Sequence, residues 1–361
     1  MGYDNVSGSQ SGRAAGFVET LECRQLFSSA YSVTDLGPVV SPGGNVVTNL
    51  NSAYANPMGL NNSGQVVAKQ PGPKLNSPVL FANGQVTPLA SLSRWMRNAE
   101  PHAINDSGVI VGGFLGARTE TEWAGGYGFF GATYPITVRL TDAFVYDGRR
   151  FRDIGPGYAT GINSSGEVVG VGDHGGAFLY ANGHRRALLP PHIRPRDIAG
   201  VAINDAGDVV VSGYDNGYRA YLYAHGSRTA VPLGPTPFDA VAINDAGQVA
   251  GTAADPLSAS AAMLVTPTGT ASLGPGDFML SSMNASGEVV GREYVPGTNY
   301  NYLFVAVASQ NGTLVDLNTL VPPSETGWTL RYAQAVNDVG QIAVIATNGV
   351  DVPHYLLLTP T

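Results

Sequence analysis

The stretch VAINDAGQVAG at residues 241–251 repeats, with small changes, the stretch VAINDAGDVVV at residues 201–211. Five more copies occur, and in every copy an Asn is followed three residues later by a Gly. Consecutive copies are about 40 to 58 residues apart, which is typical of β-propeller blades. The seven Asn and Gly pairs are Asn61 and Gly64, Asn105 and Gly108, Asn163 and Gly166, Asn204 and Gly207, Asn244 and Gly247, Asn284 and Gly287, and Asn337 and Gly340.

The residue types of the motif predict a tight turn between two strands. An apolar run precedes the Asn and a β-branched run follows the Gly, so both flanks are predicted strands. Asn first and Gly fourth suit a type I turn, in which the Asn carboxamide accepts from the N–H two residues on. A calcium loop is the alternative, but Asp is absent from three copies and no EF-hand Glu follows. We therefore interpret the motif as a structural turn and predict no metal or cofactor.

Two further strand patterns follow each hairpin and decide how the chain closes. Seven runs resemble AFLYANG, from PVLFANG (78–84) to HYLLLTP (354–360), but only six runs of the next type follow them. The missing run is YSVTDLGP at 31–38, ahead of the first hairpin. We therefore predict an all-β, seven-bladed propeller of four-stranded antiparallel blades, in which residues 31–38 complete the last blade. A β-solenoid, or a propeller of six or eight blades, is the alternative.

Composition excludes several classes of protein. The chain has 361 residues, a formal net charge of −8 and only 13% charged residues. An acidic chain is a poor partner for nucleic acid, so we expect none. The single cysteine, Cys23, excludes an intrachain disulfide framework, and no apolar run is long enough to predict a transmembrane segment. The sequence divides into a polar tail at 1–30 and a single repeat domain at 31–361.

The repeat resembles a known family. TDLG at 34–37, INDAGQVAG at 243–251 and the stretch VDLNTLVPPSETGWTLRYAQAVNDVGQIAV at 315–344 are similar to the HAF repeat of probable extracellular bacterial proteins. The resemblance covers about residues 31–361 and implies no established activity. Departures are the long insertion after Gly112 and the first repeat, where Ala68 replaces the usual Gly.

The N-terminal segment bears on location. Residues 1–20 are Gly- and Ser-rich and lack the apolar core of a standard signal peptide. LECRQLFSSAY at 21–31 resembles a short LExRxLLSA motif near the start of many planctomycete-type exported proteins. The resemblance implies an exported bacterial protein located outside the cell or on its surface, and a disordered tail is the plainer interpretation.

The unrepeated loops are the candidate binding residues. In a propeller whose first strand (A) is innermost, the A–B and C–D turns share one face, which we call the turn face. The B–C and D–A loops share the opposite face, the loop face, and only these loops vary. The largest is the insertion at 114–142, whose aromatic side chains either face a ligand or are buried over the blade. The candidate ligand-binding residues are Trp95, His102, Trp123, Tyr127, His192, Arg194, Tyr218, Tyr300 and Trp328.

No catalytic motif is present, so function is predicted only as a class. The six histidines show no zinc-ligand spacing, and neither a G-x-S-x-G elbow nor a phosphate loop occurs. The first hypothesis is a non-enzymatic surface propeller that binds a glycan, peptide or protein through the loop face. The second is a hydrolase or lyase acting on a polysaccharide or lactone, with a site drawn from Glu100, His102, His192 or Glu325 at the channel mouth. The third is a self-assembling surface-layer or filament subunit, so the chain is either a monomer or part of a surface assembly.

Overall fold

The computed structural model shows a ring of β-sheets. It describes residues 31–39, 58–71, 76–93, 95–96, 99–125, 133–253, 260–296, 302–321, 323–348 and 353–361. These residues form seven four-stranded sheets, each made of strands paired antiparallel with their sheet neighbours. The prediction of a seven-bladed propeller of antiparallel blades is therefore confirmed.

Strands A and B of each blade form the hairpin that carries the repeated motif. The A strands contact one another around the ring, so they line the centre. The A strands are β2 (Gly59–Leu60), β6 (Ala99–Ile104), β10 (Tyr158–Ile162), β14 (Ile198–Ile203), β18 (Asp239–Ile243), β22 (Phe278–Met283) and β26 (Thr329–Val336). The B strands are β3 (Val66–Pro71), β7 (Ile110–Gly125), β11 (Val168–Val171), β15 (Val209–Tyr214), β19 (Val249–Ala253), β23 (Val289–Pro296) and β27 (Ile342–Thr347).

Strands C and D complete each blade toward its outer edge. The C strands are β4 (Asn76–Ala82), β8 (Thr133–Tyr146), β12 (Ala177–Ala181), β16 (Tyr218–Tyr223), β20 (Ala261–Thr266), β24 (Tyr302–Gln310) and β28 (Pro353–Pro360). The D strands are β5 (Gln85–Pro88), β9 (Phe151–Pro156), β13 (His184–Leu188), β17 (Val231–Leu233), β21 (Gly269–Pro275) and β25 (Thr313–Asp316), with β1 (Tyr31–Pro38) serving the last blade. Two four-residue helices, α1 (Leu89–Leu92) and α2 (Pro323–Thr326), lie in D–A loops.

The two ends of the described chain meet in one blade. Strand β1 pairs antiparallel with β28, from Tyr31 opposite Pro360 to Pro38 opposite His354. The Asp35 carboxylate and Nδ1 of the His354 ring lie 2.9 Å apart, within hydrogen-bond distance. This is the closure predicted from the displaced strand pattern, and it pairs the outer edge of β28 that would otherwise be open to other chains.

The hydrophobic core lies between neighbouring blades. The B strands are the most deeply buried, and in β27 every residue from Ile342 to Thr347 is buried. Side chains of alternate strand positions pack against the next blade, as Phe304 of blade six packs with Tyr332 of blade seven in one cluster. Each blade is therefore stabilised by its two neighbours. No helix in the described part of the chain is long and apolar enough to cross a membrane.

The insertion after Gly112 is strand rather than loop. Strands β7 and β8 continue past the blade as a two-stranded arm that pairs from Leu115 opposite Thr141 to Gly125 opposite Thr133. Alternating β-branched and polar residues make this extension favourable. The arm's tip at 126–132, with Tyr127, lies outside the described residues, as do the side chains at 117–139.

Candidate functional site

The seven motif asparagines form a closed ring of hydrogen bonds at the turn face. In every blade the Asn Nδ2 donates to the backbone carbonyl of the Asn in the next blade, at 2.9 to 3.5 Å. The last of these bonds runs from Asn337 to Asn61 and closes the circle. The motif thus links blades as well as turning the chain.

The remaining atoms of each amide are also used. The Asn Oδ1 accepts from the N–H of the residue four positions on in all seven copies, at 2.7 to 3.0 Å. Only Asn61 shows, among the described bonds, the predicted bond to the N–H two residues on. The carboxamide instead bonds the N–H of the residue that follows the glycine. The glycine has φ between 72° and 85° in every copy, and this left-handed conformation brings the N–H of the following residue to the Asn side chain. Because the Asn amides are buried and already hydrogen-bonded within the protein, we assign them a structural role in the ring and not a role in ligand binding.

A second, incomplete ring surrounds the first. The residue after the Asn accepts, through its side chain, the N–H of the equivalent residue in the preceding blade, as Asp245 accepts from Asp205 at 2.7 Å. Asn62 plays the same part toward Asp338. Ala285 has no acceptor to offer, so the Asp245 N–H has no side-chain partner among the described residues. The Asp of the motif is therefore an acceptor between blades, which explains its frequent but not universal presence.

These rings enclose a polar cavity of about 210 Å³ at the centre of the turn face. Each blade lines it with the apolar residue before the Asn, the Asn or the residue after it. Four aspartates lie at its wall, namely Asp106, Asp205, Asp245 and Asp338. Each of these carboxylates accepts a hydrogen bond from a backbone N–H of the preceding blade, so all four have a structural use.

The loop face has a different surface. Among the described residues, most of the large apolar side chains that are at least about one-third exposed lie on this face. Val339 is the exposed apolar side chain of this set that lies on the turn face. Val86 and Val231 lie on outer D strands. The loop-face set is Leu92, Trp95, Leu115, Tyr158, Leu189, Tyr214, Tyr218, Met279 and Leu303. A contiguous apolar patch is typical of an interaction surface, whereas single exposed apolar side chains are common on any protein. Within this set, the rings of Tyr214 and Tyr218 contact each other.

Three predicted residues lie together in blades three and four. His192 and Arg194 are exposed in the loop before β14, and Tyr218 is exposed at the start of β16. Ile193 packs beneath Gly213, where an added Cβ would lie 2.7 Å from the Ile193 side chain. That contact places the loop beside the hairpin tip, where Tyr214 and Tyr218 meet edge to face at 5.7 Å. Sequence reasoning did not single out Tyr214, although its loop was recognised as variable.

His102 belongs to the inner wall. It is the residue skipped in the register between Pro101 and Ala103, a bulge position that Thr160, Val241, Ser281 and Gln334 hold in other blades. Its ring lies 5.7 Å from that of Tyr158. Burial lowers the pKa of His102 from 6.5 to about 4, with Glu100 raising it and Lys69 lowering it further. The buried Lys69 ammonium pairs with Glu100, so Glu100 already has a partner.

The other predicted residues are scattered. Trp95 is 53% exposed in the loop after α1. The Trp328 ring contacts the His354 ring in a tilted arrangement, with centroids 4.8 Å apart, and packs against the core. The backbone of Trp123 lies in the arm, but its side chain and Tyr300 lie outside the described residues. Of the groups proposed for catalysis, Glu100 and His102 share strand β6. His192 lies in the loop between blades three and four, and the Glu325 side chain is not described. In the described part of the chain no three His, Cys, Asp or Glu side chains form a metal-binding group.

Comparison with known proteins supports the fold and nothing finer. No protein-family model matches the chain, and no curated protein matches its sequence. YCF48 bound to a D1 peptide is similar over 92% of this chain and 95% of its own, with a TM-score of 0.50 and 10% identity. A Mycobacterium tuberculosis puromycin-hydrolysing peptidase is similar over 90% of this chain, with a TM-score of 0.55 and 10% identity. This chain spans 54% of that peptidase. The fold therefore defines the protein as a seven-bladed β-propeller.

Proposed function

We propose that the protein is a non-enzymatic binding propeller that holds a glycan, peptide or protein partner on its loop face, outside the cell or at its surface. The observation that carries the proposal is the concentration of exposed aromatic and aliphatic side chains on that face. Aromatic rings offer flat apolar area at low conformational cost and are enriched at binding surfaces.

The turn face also supports this proposal, because the polar groups of its central cavity are already hydrogen-bonded within the protein. Its central cavity is walled by amides and carboxylates that already bond backbone groups of neighbouring blades. The described loop-face groups proposed for acid–base chemistry are paired or distant, as Glu100 is paired with Lys69. The arrangement favours binding over hydrolysis.

Binding to glycan and peptide arrays, with metal content measured on the same sample, tests the proposal. Wild type is expected to retain at least one array ligand, and replacing Tyr214 and Tyr218 together by Ser should weaken that ligand about tenfold or more. Val86→Ser is the matched control, because Val86 is 46% exposed but lies on an outer strand. Equal loss in both variants, or turnover of the bound ligand, would contradict the proposal.

A further inference from the structure

Six arginines lie on the C–D turns and D strands of three consecutive blades, at the outer rim of the ring. They are Arg149, Arg150 and Arg152 in blade two, Arg185 and Arg186 in blade three, and Arg228 in blade four. The corresponding segments of the other four blades contain neither Lys nor Arg. The acidic residues of the three arginine-bearing segments are Asp147 and Asp153, so this rim is locally basic in a chain whose formal net charge is −8. We call the six arginines the basic rim.

Two of these arginines join the three blades to one another. The Arg185 Nη1 donates to the carbonyl of Ile154 in blade two at 3.3 Å. The Arg186 Nη1 donates to the carbonyl of Ser227 in blade four at 2.8 Å. The three segments are therefore adjacent in space, and the basic rim is one continuous surface.

At the blade-two end of the basic rim, an open cleft of about 520 Å³ is lined by Asp147, Arg149, Arg150 and Arg152. The Asp147 Oδ1 accepts the backbone N–H groups of Arg149 and Arg150 at 3.0 and 2.7 Å. Its Oδ2 accepts from Arg152 Nη2 at 2.8 Å. These hydrogen bonds, the one from the Arg150 N–H above all, lower the pKa of Asp147. The carboxylate of the cleft is thus occupied, and it does not pair with the Arg149 or Arg150 guanidinium.

Three guanidinium groups of the basic rim have no partner in the part of the chain that the structure describes, namely those of Arg149, Arg150 and Arg228. All three residues are exposed. A guanidinium offers five N–H donors in a planar fork that matches the two oxygens of a carboxylate. Positive charge gathered on one side of an acidic protein steers an anionic partner to that side.

We propose that the basic rim binds a linear acidic polysaccharide that carries a carboxylate on each sugar unit. The rim would attach the propeller to this polymer while the loop face stays free, so the inference goes beyond the proposed function and does not depend on it. The rim of a ring is convex, and a flexible chain can follow it across three blades. A flat lipid surface cannot contact all three blades at once.

The residue types of the basic rim also favour a polysaccharide over nucleic acid. Single-stranded nucleic acid is usually held by aromatic side chains on which its bases stack. The large exposed side chains of the described part of the chain include no aromatic ring in the three segments of the basic rim. All the fixed cations are arginines, whose fork suits carboxylate oxygens better than the point charge of a lysine does.

Titration calorimetry with a galacturonic acid dodecamer tests the inference, with the methyl-esterified dodecamer as the uncharged control. The acid dodecamer should bind at least about tenfold more tightly than the ester. Raising the salt concentration from about 50 to about 200 mM should weaken the acid dodecamer about tenfold, because charge pairs at an exposed rim are screened.

The variants remove the arginines that have no partner within the protein. Replacing Arg149 and Arg150 together by Gln should weaken the acid dodecamer about tenfold or more, and Arg228→Gln about three- to fivefold. The melting temperature should stay that of wild type, because these side chains contribute no contact to the fold. Arg196→Gln is the control matched to Arg228→Gln. It removes the same charge from an exposed arginine on the loop face, and it should change the affinity less than about 1.5-fold.

Equal affinity of wild type and the Arg149 and Arg150 double variant would overturn the inference, as would equal losses in Arg228→Gln and Arg196→Gln. Absence of binding at millimolar dodecamer would overturn it too. A thymidine oligonucleotide of the same length, or vesicles of phosphatidylglycerol, binding as tightly as the acid dodecamer would show that the basic rim is not specific for a polysaccharide.

The inference and the proposed function fail separately. The Tyr214 and Tyr218 double variant should bind the acid dodecamer as wild type does, and the Arg149 and Arg150 double variant should keep the array ligand of the loop face. If the array ligand is lost only in the arginine variant, the proposed function fails and the inference stands. If the dodecamer does not bind while the tyrosine variant loses the array ligand, the inference fails and the proposed function stands.

Discussion

The Nδ2 of Asn337 donates to the backbone carbonyl of Asn61 at 2.9 Å, and this bond joins the last repeat of the propeller to the first. Together with the β1–β28 pairing, it gives the ring two closures, one at the channel and one at the rim. The two closures involve different atoms and can be tested separately.

Asn337→Ala should lower the free energy of unfolding by about 2 to 5 kcal/mol, because it leaves the Asn61 carbonyl and the Gln341 N–H without their side-chain partner. Urea denaturation measures the change. Asn337→Asp keeps the shape and the acceptor but loses the donor, so it should destabilise at neutral pH as well. An Asp variant as stable as wild type would show that the bond between blades contributes nothing.

Ala285→Asn should stabilise the protein by about 0.5 to 1.5 kcal/mol, because the new amide oxygen can accept from the Asp245 N–H as Asn62 accepts from Asp338. Ala285→Asp offers the same acceptor but adds a fifth carboxylate to the cavity wall. Its stability should fall below that of the Asn variant at low salt and approach it at high salt. Thermal melts at two ionic strengths check this, and a salt-independent difference would contradict it.

His102→Gln should make the free energy of unfolding fall less steeply as the pH is lowered. The pKa of His102 falls from 6.5 to about 4 on folding, so between these values the unfolded chain binds a proton that the folded chain excludes. Its contribution, up to about 3 kcal/mol, is full above pH 6.5 and is lost as the pH falls toward 4. The charged and titratable neighbours are Glu100, Lys69 and Tyr158.

Urea denaturation of wild type and His102→Gln from pH 7 to 4 measures the difference, in which the carboxylate titrations common to both proteins cancel. The gap should close or reverse toward low pH. Parallel curves would show that His102 titrates normally.

Sequence reasoning reached the architecture because its evidence is periodic. The displaced YSVTDLGP run predicted the β1–β28 pairing, since strand order follows directly from counting strands. The Asn ring could not be predicted in the same way. Its bonds join residues in different blades, such as Asn105 and Asn163, and a single hairpin considered alone contains no information about its neighbour.

The candidate site was predicted only as a face. The variable loops pointed to Tyr218 and Arg194, because unrepeated residues stand out against a repeat. Tyr214 was missed because its contact with Tyr218 depends on the hairpin tip at which the two rings meet. The insertion was interpreted as a loop, but its alternating residues extend the hairpin as strands.

The central claim is that ligands bind the loop face and that the repeated turns only hold the ring. Hydrogen–deuterium exchange, with and without the tightest array ligand, tests it most directly. Protection is predicted in peptides covering 189–198 and 213–219, with no change in the turns at 204–207 and 244–247. Protection confined to those turns, with the loop-face peptides unchanged, would contradict the account.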